Sequence, residues 1–196
     1  MCKALKRQGE RYKPYRSRIP AGRAGPWAVE RFKVAIDLQN LRMVCDGRVC
    51  SPGTFTRLCH DKRGVVMSDT DAEIEDFLPF VRQASGSVLV AGLGLGCVTQ
   101  ALLAKDGVER VTVIEIDRDV ISLVAPHLQD ARLKVVHGDA FKWRPPRGAR
   151  YQFGWYDVWD DICGDNLGAI RKMKARFRQW VAWASAWCED EVWDYA

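Results

Sequence analysis

The chain has 196 residues, 47% of them hydrophobic, which bounds it to one core-bearing domain with an appendage. No apolar run approaches the roughly 18–20 residues of a membrane span, and the basic, polar start lacks the apolar stretch of a secretory leader, so a soluble cytoplasmic protein is expected. The net charge of +5 is uneven: residues 1–26 hold eight Lys or Arg against one Glu, and the remainder sums to −2.

Residues 1–26 lack hydrophobic periodicity and carry Pro14, Pro20 and Pro26. They read as a flexible basic arm, either solvated or following nucleic acid with Tyr12 and Tyr15 among the charges. From Trp27 the pattern changes. Val29, Phe32, Val34 and Ile36 lie near alternation, which predicts a strand. Leu41–Cys45 and Arg48–Cys50 flank Asp46-Gly47, a hairpin turn signal. Thr54–Cys59 and Gly64–Met67 predict a second hairpin around Asp61-Lys62-Arg63. Residues 27–67 are therefore a small antiparallel β unit. The seven cysteines include no CxxC, and Cys45, Cys50, Cys59 and His60 match no usual zinc spacing, so reduced thiols and no metal site are expected.

Residues 68–196 read as an α/β domain. A helix begins near Ser68–Thr70, where Thr70 and Glu73 fit a capping box, and Pro79 is expected to kink or shorten it. Val88–Ala91 is a buried strand. It feeds Gly92-Leu93-Gly94-Leu95-Gly96, then a helix over Cys97–Lys105, then a second strand ending in Glu115-Ile116-Asp117. Arg118–Leu128 is the next helix, shortened by Pro126. Leu133–Val136 is a third strand, ending in His137-Gly138-Asp139. Tyr151–Tyr156 is a fourth, ending at Asp157. From Asn166, Leu167, Ile170, Met173, Phe177, Trp180, Val181 and Ala184 share a helical face. The expectation is a Rossmann-like, mostly parallel sheet with flanking helices, truncated toward the C-terminus unless the Trp-rich end hides a further strand. Trp180, Trp183, Trp187 and Trp193 either cover the sheet or form a homodimer interface.

Strand, glycine turn, helix, strand and acid form a nucleotide or nucleoside site. A dinucleotide fold wants a third glycine at position 97, which is Cys; the glycine is at 96. The spacing GxGxG resembles class I S-adenosylmethionine-dependent methyltransferases. Val90, where that class usually has an acid, together with Glu115-Ile116-Asp117 and the antiparallel unit ahead of the fold, resembles the spermidine synthase branch over residues 64–161. A closer likeness is to short homologues of that branch, many encoded by phages or prophages, which share Met67–Thr70, the GLGLG turn and Asp165–Leu167.

The resemblance implies S-adenosylmethionine, or its decarboxylated form, as cofactor. It implies Gly92, Gly94 and Gly96 as the cradle, Glu115 on the ribose and Asp139 on the adenine amino group. Asp117 is a further cofactor contact or a helix cap. Asp157 and Asp160 are the implied catalytic pair, holding an amine or accepting its proton. The expected activity is methyl transfer to an amine-bearing small molecule or a nucleic acid. Polyamine aminopropyl transfer is the alternative, disfavoured by Leu95, which stands where that branch carries an acid. A non-catalytic nucleoside-binding interaction protein is a third reading. His137 reads as a strand-end residue.

Overall fold

The computed structural model describes residues 10–35, 50–160 and 164–189. Two sheets carry the architecture. The first is an antiparallel meander of β1 (Gly22–Ala24), β2 (Trp27–Val34), β3 (Gly53–His60) and β4 (Gly64–Ser68). The β3–β4 hairpin turns at the predicted place. The hairpin expected around Asp46-Gly47 falls on residues 36–49, with Ile36 and Cys45, outside the described residues.

The second sheet is parallel, built from β5 (Gly86–Ala91), β6 (Val108–Glu115), β7 (Leu133–His137), β8 (Tyr151–Tyr156) and β9 (Val181–Ala186). Its order is β7-β6-β5-β8-β9. The helices are α1 (Asp71–Gln83), α2 (Cys97–Leu103), α3 (Arg118–Val124) and α4 (Asn166–Phe177). The chain lays β6 and β7 on one side of β5, then returns to place β8 and β9 on the other. The carboxyl ends of β5 and β8 are therefore the topological switch point, where such sheets bind ligands.

The central strands are apolar throughout because both faces are covered. Val88 and Val90 pack into one core with Ile74, Phe77 and Val81 of α1 and with residues of α2 and α3. Leu89 and Ala91 face the other core, formed with Ile170, Met173 and Phe177 of α4. This is a Rossmann-like fold with a separate antiparallel unit, as the sequence pattern predicts. Pro79 does not end α1, which continues to Gln83; Phe80 and Val81 beyond it are buried and hold that last turn. Glu73 accepts from the main-chain N–H of Ser68 at 3.0 Å, so the reciprocal half of the expected capping box reaches past Thr70. As expected, Pro126 shortens the third helix, which passes into a 3-10 turn at Ala125–His127.

Two expectations are corrected. The last helix stops at Phe177, and Val181–Ala186 forms a parallel edge strand on β8. The apolar face read as one long helix is a helix followed by a strand, so the alternative of a further strand in the Trp-rich end holds. Residues 10–26 are not a solvated arm. Tyr12 and Ile19 are fully buried in the larger core, and Tyr12 donates its hydroxyl to Glu75. Ser17 Oγ donates to the Leu95 carbonyl in the glycine turn at 3.0 Å. These apolar and hydroxyl groups find partners more than sixty residues away in sequence, which local pattern cannot reveal. Trp183 stacks on Phe80, with ring centroids 6.0 Å apart, and Trp187 Nε1 donates to Asp76 at 3.0 Å. Trp193 lies outside the described residues. No helix among the described residues is long and apolar enough to cross a membrane.

Candidate functional site

The glycine turn follows β5 directly at the switch point. Gly92, Gly94 and Gly96 all have positive φ, at 96°, 50° and 71°, a region that disfavours L side chains. A side chain at Gly92 would collide with the Asp157 carbonyl, and one at Gly94 with Met67 Sδ. The turn thus brings the ends of β5 and β8 into contact and leaves α2 starting beneath the cavity. Asp157 N–H donates to the Ala91 carbonyl and Gly92 N–H to that of Ile114, both at 2.8 Å.

Glu115 ends β6 and is buried. Its two carboxylate oxygens accept main-chain N–H groups, from Leu93 at 2.8 Å and from Asp117 at 2.9 Å. Burial raises its pKa above the ordinary value, and these N–H donors oppose the rise. Each oxygen retains acceptor capacity toward the cavity. Asp117 is committed elsewhere. It caps α3 by accepting from Asp119 N–H, and accepts the Trp27 indole N–H at 2.7 Å. Asp139 accepts Phe141 N–H at 2.8 Å and pairs with Lys142 at 3.3 Å. His137 contacts the Ile116 carbonyl at the end of its strand.

Asp157 follows β8 at the base of the cavity. Desolvation pushes its carboxyl up to about 8. The neighbouring Glu73 and Asp76 carboxylates add to this, the Trp155 indole offsets part of it, and Glu115 contributes a smaller rise. Asp160 stands at the mouth and accepts from Arg63 at 2.7 Å. Asp165 occupies the N-cap position of α4 without a side-chain hydrogen bond to it.

These residues line one cavity of about 250 Å³, just under the roughly 300–1,000 Å³ of small-ligand pockets. Gly92, Gly94, Glu115, Asp117, Asp139, Asp157 and Asp160 border it; Gly96 does not, and packs against Leu128. Sequence reasoning missed the other walls. Ile116 and Phe141, 64% and 39% exposed, flank the acid side of the mouth. A large apolar residue directly after Glu115, and another two positions after Gly138-Asp139, could have signalled a planar ligand.

Trp27, Arg63 and Met67 come from the antiparallel sheet, and no local signal marks them. The Arg63 guanidinium lies over the Trp27 ring at 4.6 Å while pairing with Asp160. It spans the mouth from the β6 side to the β8 side. Met67 Sδ fills the space above Gly94 and accepts Leu95 N–H at 3.3 Å. Among the described residues no group of His, Cys, Asp and Glu could hold a metal.

An adenosine-type ligand fits these features. A buried carboxylate sits between glycine turn and strand tip, exposed apolar groups flank the mouth, and two glycines of the turn border the cavity. The family described as ribosomal RNA adenine dimethylase matches residues 77–159, from α1 to just beyond β8. No curated protein matches the sequence.

Similar solved structures include a dimethyladenosine transferase from Plasmodium falciparum, at 26% identity over 43% of this chain and 30% of that one, TM-score 0.36. The N-methyltransferase NodS from Bradyrhizobium japonicum, in complex with S-adenosyl-L-homocysteine, is 14% identical over 54% and 52%, TM-score 0.41. A candidate RNA methyltransferase from Pyrococcus horikoshii is 17% identical over 64% and 61%, TM-score 0.46. The chain thus covers less than two thirds of each of these proteins.

Proposed function

We propose that this chain is an S-adenosylmethionine-dependent methyltransferase acting on an amino nitrogen, carried by a small molecule or a nucleic acid. The observation that carries the reading is the placement of Glu115. Its buried carboxylate bridges the Leu93 and Asp117 amides at the switch point, with acceptor capacity left for two ribose hydroxyls. The family match over residues 77–159 supports the same activity, and its printed substrate, an adenine, presents an amino nitrogen. Val90, the Glu115-Ile116-Asp117 tip and the antiparallel sheet support a place in the spermidine synthase-like branch. Leu95 is fully buried and offers no charge to a donor amine there, which favours methyl over aminopropyl transfer.

When bound, S-adenosylmethionine would supply a methyl group on a sulfonium, with the neutral thioether as a good leaving group. The protein's work is alignment and proton handling. Glu115 would hold the ribose, Ile116 and Phe141 would flank the adenine, and Asp139 would accept from its amino group. Gly92 and Gly94 border the cavity and leave room for the Asp157 carbonyl and Met67 Sδ that shape it. Asp157, once ionised, accepts the proton that an attacking amine loses. Asp160 and Arg63 close the mouth. Asp117 acts through the Trp27 wall and the α3 cap.

Isothermal calorimetry with S-adenosylmethionine, its decarboxylated form and S-adenosylhomocysteine tests the reading. Binding of the first and third, lost in Glu115→Ala, is the expected result. Preference for the decarboxylated donor would replace methyl with aminopropyl transfer. Absence of binding by all three would leave only a non-catalytic role.

A further inference from the structure

The average charge of −2 outside residues 1–26 conceals a separation of charge within the folded body. The cavity wall is acidic, with Glu73, Glu115, Asp157 and Asp160. Two other stretches carry only cations. Residues 142–150 read KWRPPRGAR and residues 166–178 read NLGAIRKMKARFR, together nine Lys or Arg and no Asp or Glu.

The fold joins these stretches. Arg176 Nη2 donates to the Trp143 carbonyl at 2.8 Å, and the Trp143 and Phe177 rings lie 6.4 Å apart. The 142–150 loop therefore packs beside the C-terminal half of α4. Arg144, Arg147, Arg150, Lys172 and Arg178 are exposed on the outside. Some of the charge has a local use. Lys174 pairs with Glu189 at 2.5 Å, and Lys174 and Arg176 complement the helix dipole in its last turn. Arg144, Arg147 and Arg150 are in a loop, where no dipole accounts for them. Lys142 likewise pairs with Asp139, but the three loop arginines set like charges close together, and a polyanion relieves their self-repulsion.

We propose that the outer face of α4 and the adjoining 142–150 loop form a docking surface for the phosphate backbone of a nucleic acid. Six of the nine cations are Arg, whose planar fork matches phosphate oxygens in pairs. An anionic membrane would need apolar anchors beside the charge. Of the exposed large hydrophobics among the described residues, Phe141 alone adjoins these stretches in sequence, a single ring rather than an apolar face. Phe141 lines the cavity and directly precedes Lys142, so the basic face begins at the mouth. A strand bound along it leads its next nucleotide toward Phe141. The surface is independent of the donor cavity and does not rest on the methyltransferase reading.

Fluorescence anisotropy on the full chain, with labelled single-stranded RNA, single-stranded DNA and duplex DNA, tests the surface. Binding should weaken as salt rises, because phosphate contacts release counterions. The triple variant Arg147→Glu/Arg150→Glu/Lys172→Glu should lose roughly tenfold or more in affinity and show a shallower salt slope. Arg147→Ala alone should lose roughly threefold, and serves if the triple variant fails to fold. No binding to any probe at low salt would overturn the proposal. So would binding unchanged in the variants, or stronger binding to phosphatidylserine vesicles than to nucleic acid. Calorimetry of donor binding is a separate readout. Its failure would remove the methyltransferase reading and leave this surface standing.

Discussion

Glu115 and Leu93 are joined by a 2.8 Å hydrogen bond from the Leu93 amide to the Glu115 carboxylate, which ties the tip of β6 to the glycine turn of β5. The same side chain that would hold a ribose therefore also sets the shape of the cradle. Glu115→Gln keeps the size but places an NH2 group against one of the two main-chain donors. It should cost about 1–3 kcal/mol of stability, the penalty for a buried unsatisfied donor, and at least about tenfold in donor affinity. Chemical denaturation and calorimetry on the same variant check both. Unchanged affinity would remove Glu115 from the site.

The raised pKa of Asp157, about 8, gives two pH dependences. An unfolded Asp ionises near 4, so between about pH 4 and 8 the folded state holds a proton that the unfolded state has lost. Stability should fall as pH rises across that window and level off above it. Asp157→Asn should flatten the curve, which thermal melts from pH 5 to 9 would show.

Donor binding has the opposite sign. A cationic sulfonium favours the ionised carboxylate, so S-adenosylmethionine should bind more tightly as pH approaches 8, by up to about tenfold per unit. S-adenosylhomocysteine lacks that charge and should show a flatter profile. Equal profiles for the two ligands would remove Asp157 from the sulfonium's neighbourhood. At neutral pH, Asp157→Asn should bind the donor and lose about 10²-fold or more in turnover.

Met67 and Gly94 should be coupled. Gly94→Ala introduces a methyl group against Met67 Sδ at a positive φ of 50°. Removing the thioether with Met67→Ala relieves the collision but not the backbone strain. A double-mutant cycle should show at least about 0.5 kcal/mol of non-additivity, as for residues in contact. Additive effects would mean that the turn adjusts without Met67.

Arg63 and Asp160 are both more than 40% exposed, so their ion pair should be nearly neutral for stability, within about 1 kcal/mol. Its expected effect is kinetic. Arg63→Ala opens the mouth, and donor should dissociate several-fold faster with little change in melting temperature. Stopped-flow fluorescence of the pocket tryptophans would measure this, and an unchanged dissociation rate would show that the pair does not close the site.

The parallel core was legible because its signals are local. Val88–Ala91, the glycines and Glu115 follow one another within thirty residues, and glycines with Glu or Asp at strand ends have few uses. The strand at Val181–Ala186 was hidden because Trp180, Val181 and Ala184 continue the helical spacing of α4. Only pairing with β8 decides its state. The burial of Tyr12 and Ile19 was hidden for the same reason, since isolated apolar residues among charges carry no period. One side of the cavity wall was invisible because Trp27, Arg63 and Met67 reach it through the placement of a second sheet. The cations of α4 were read only as part of a near-neutral average.

The Ser17–Leu95 and Trp187–Asp76 contacts span 78 and 111 positions of sequence. Such distant pairings slow the search for the native state, because loop closure precedes the contacts that reward it. The cavity is walled by Trp27 from one end of the described chain and Trp187 from the other, so it can be completed only late in folding. During synthesis the glycine turn leaves the ribosome well before β9, with its acid-rich wall still open. Donor binding is therefore expected to report the end of folding rather than its beginning, and a ligand present early should rescue little.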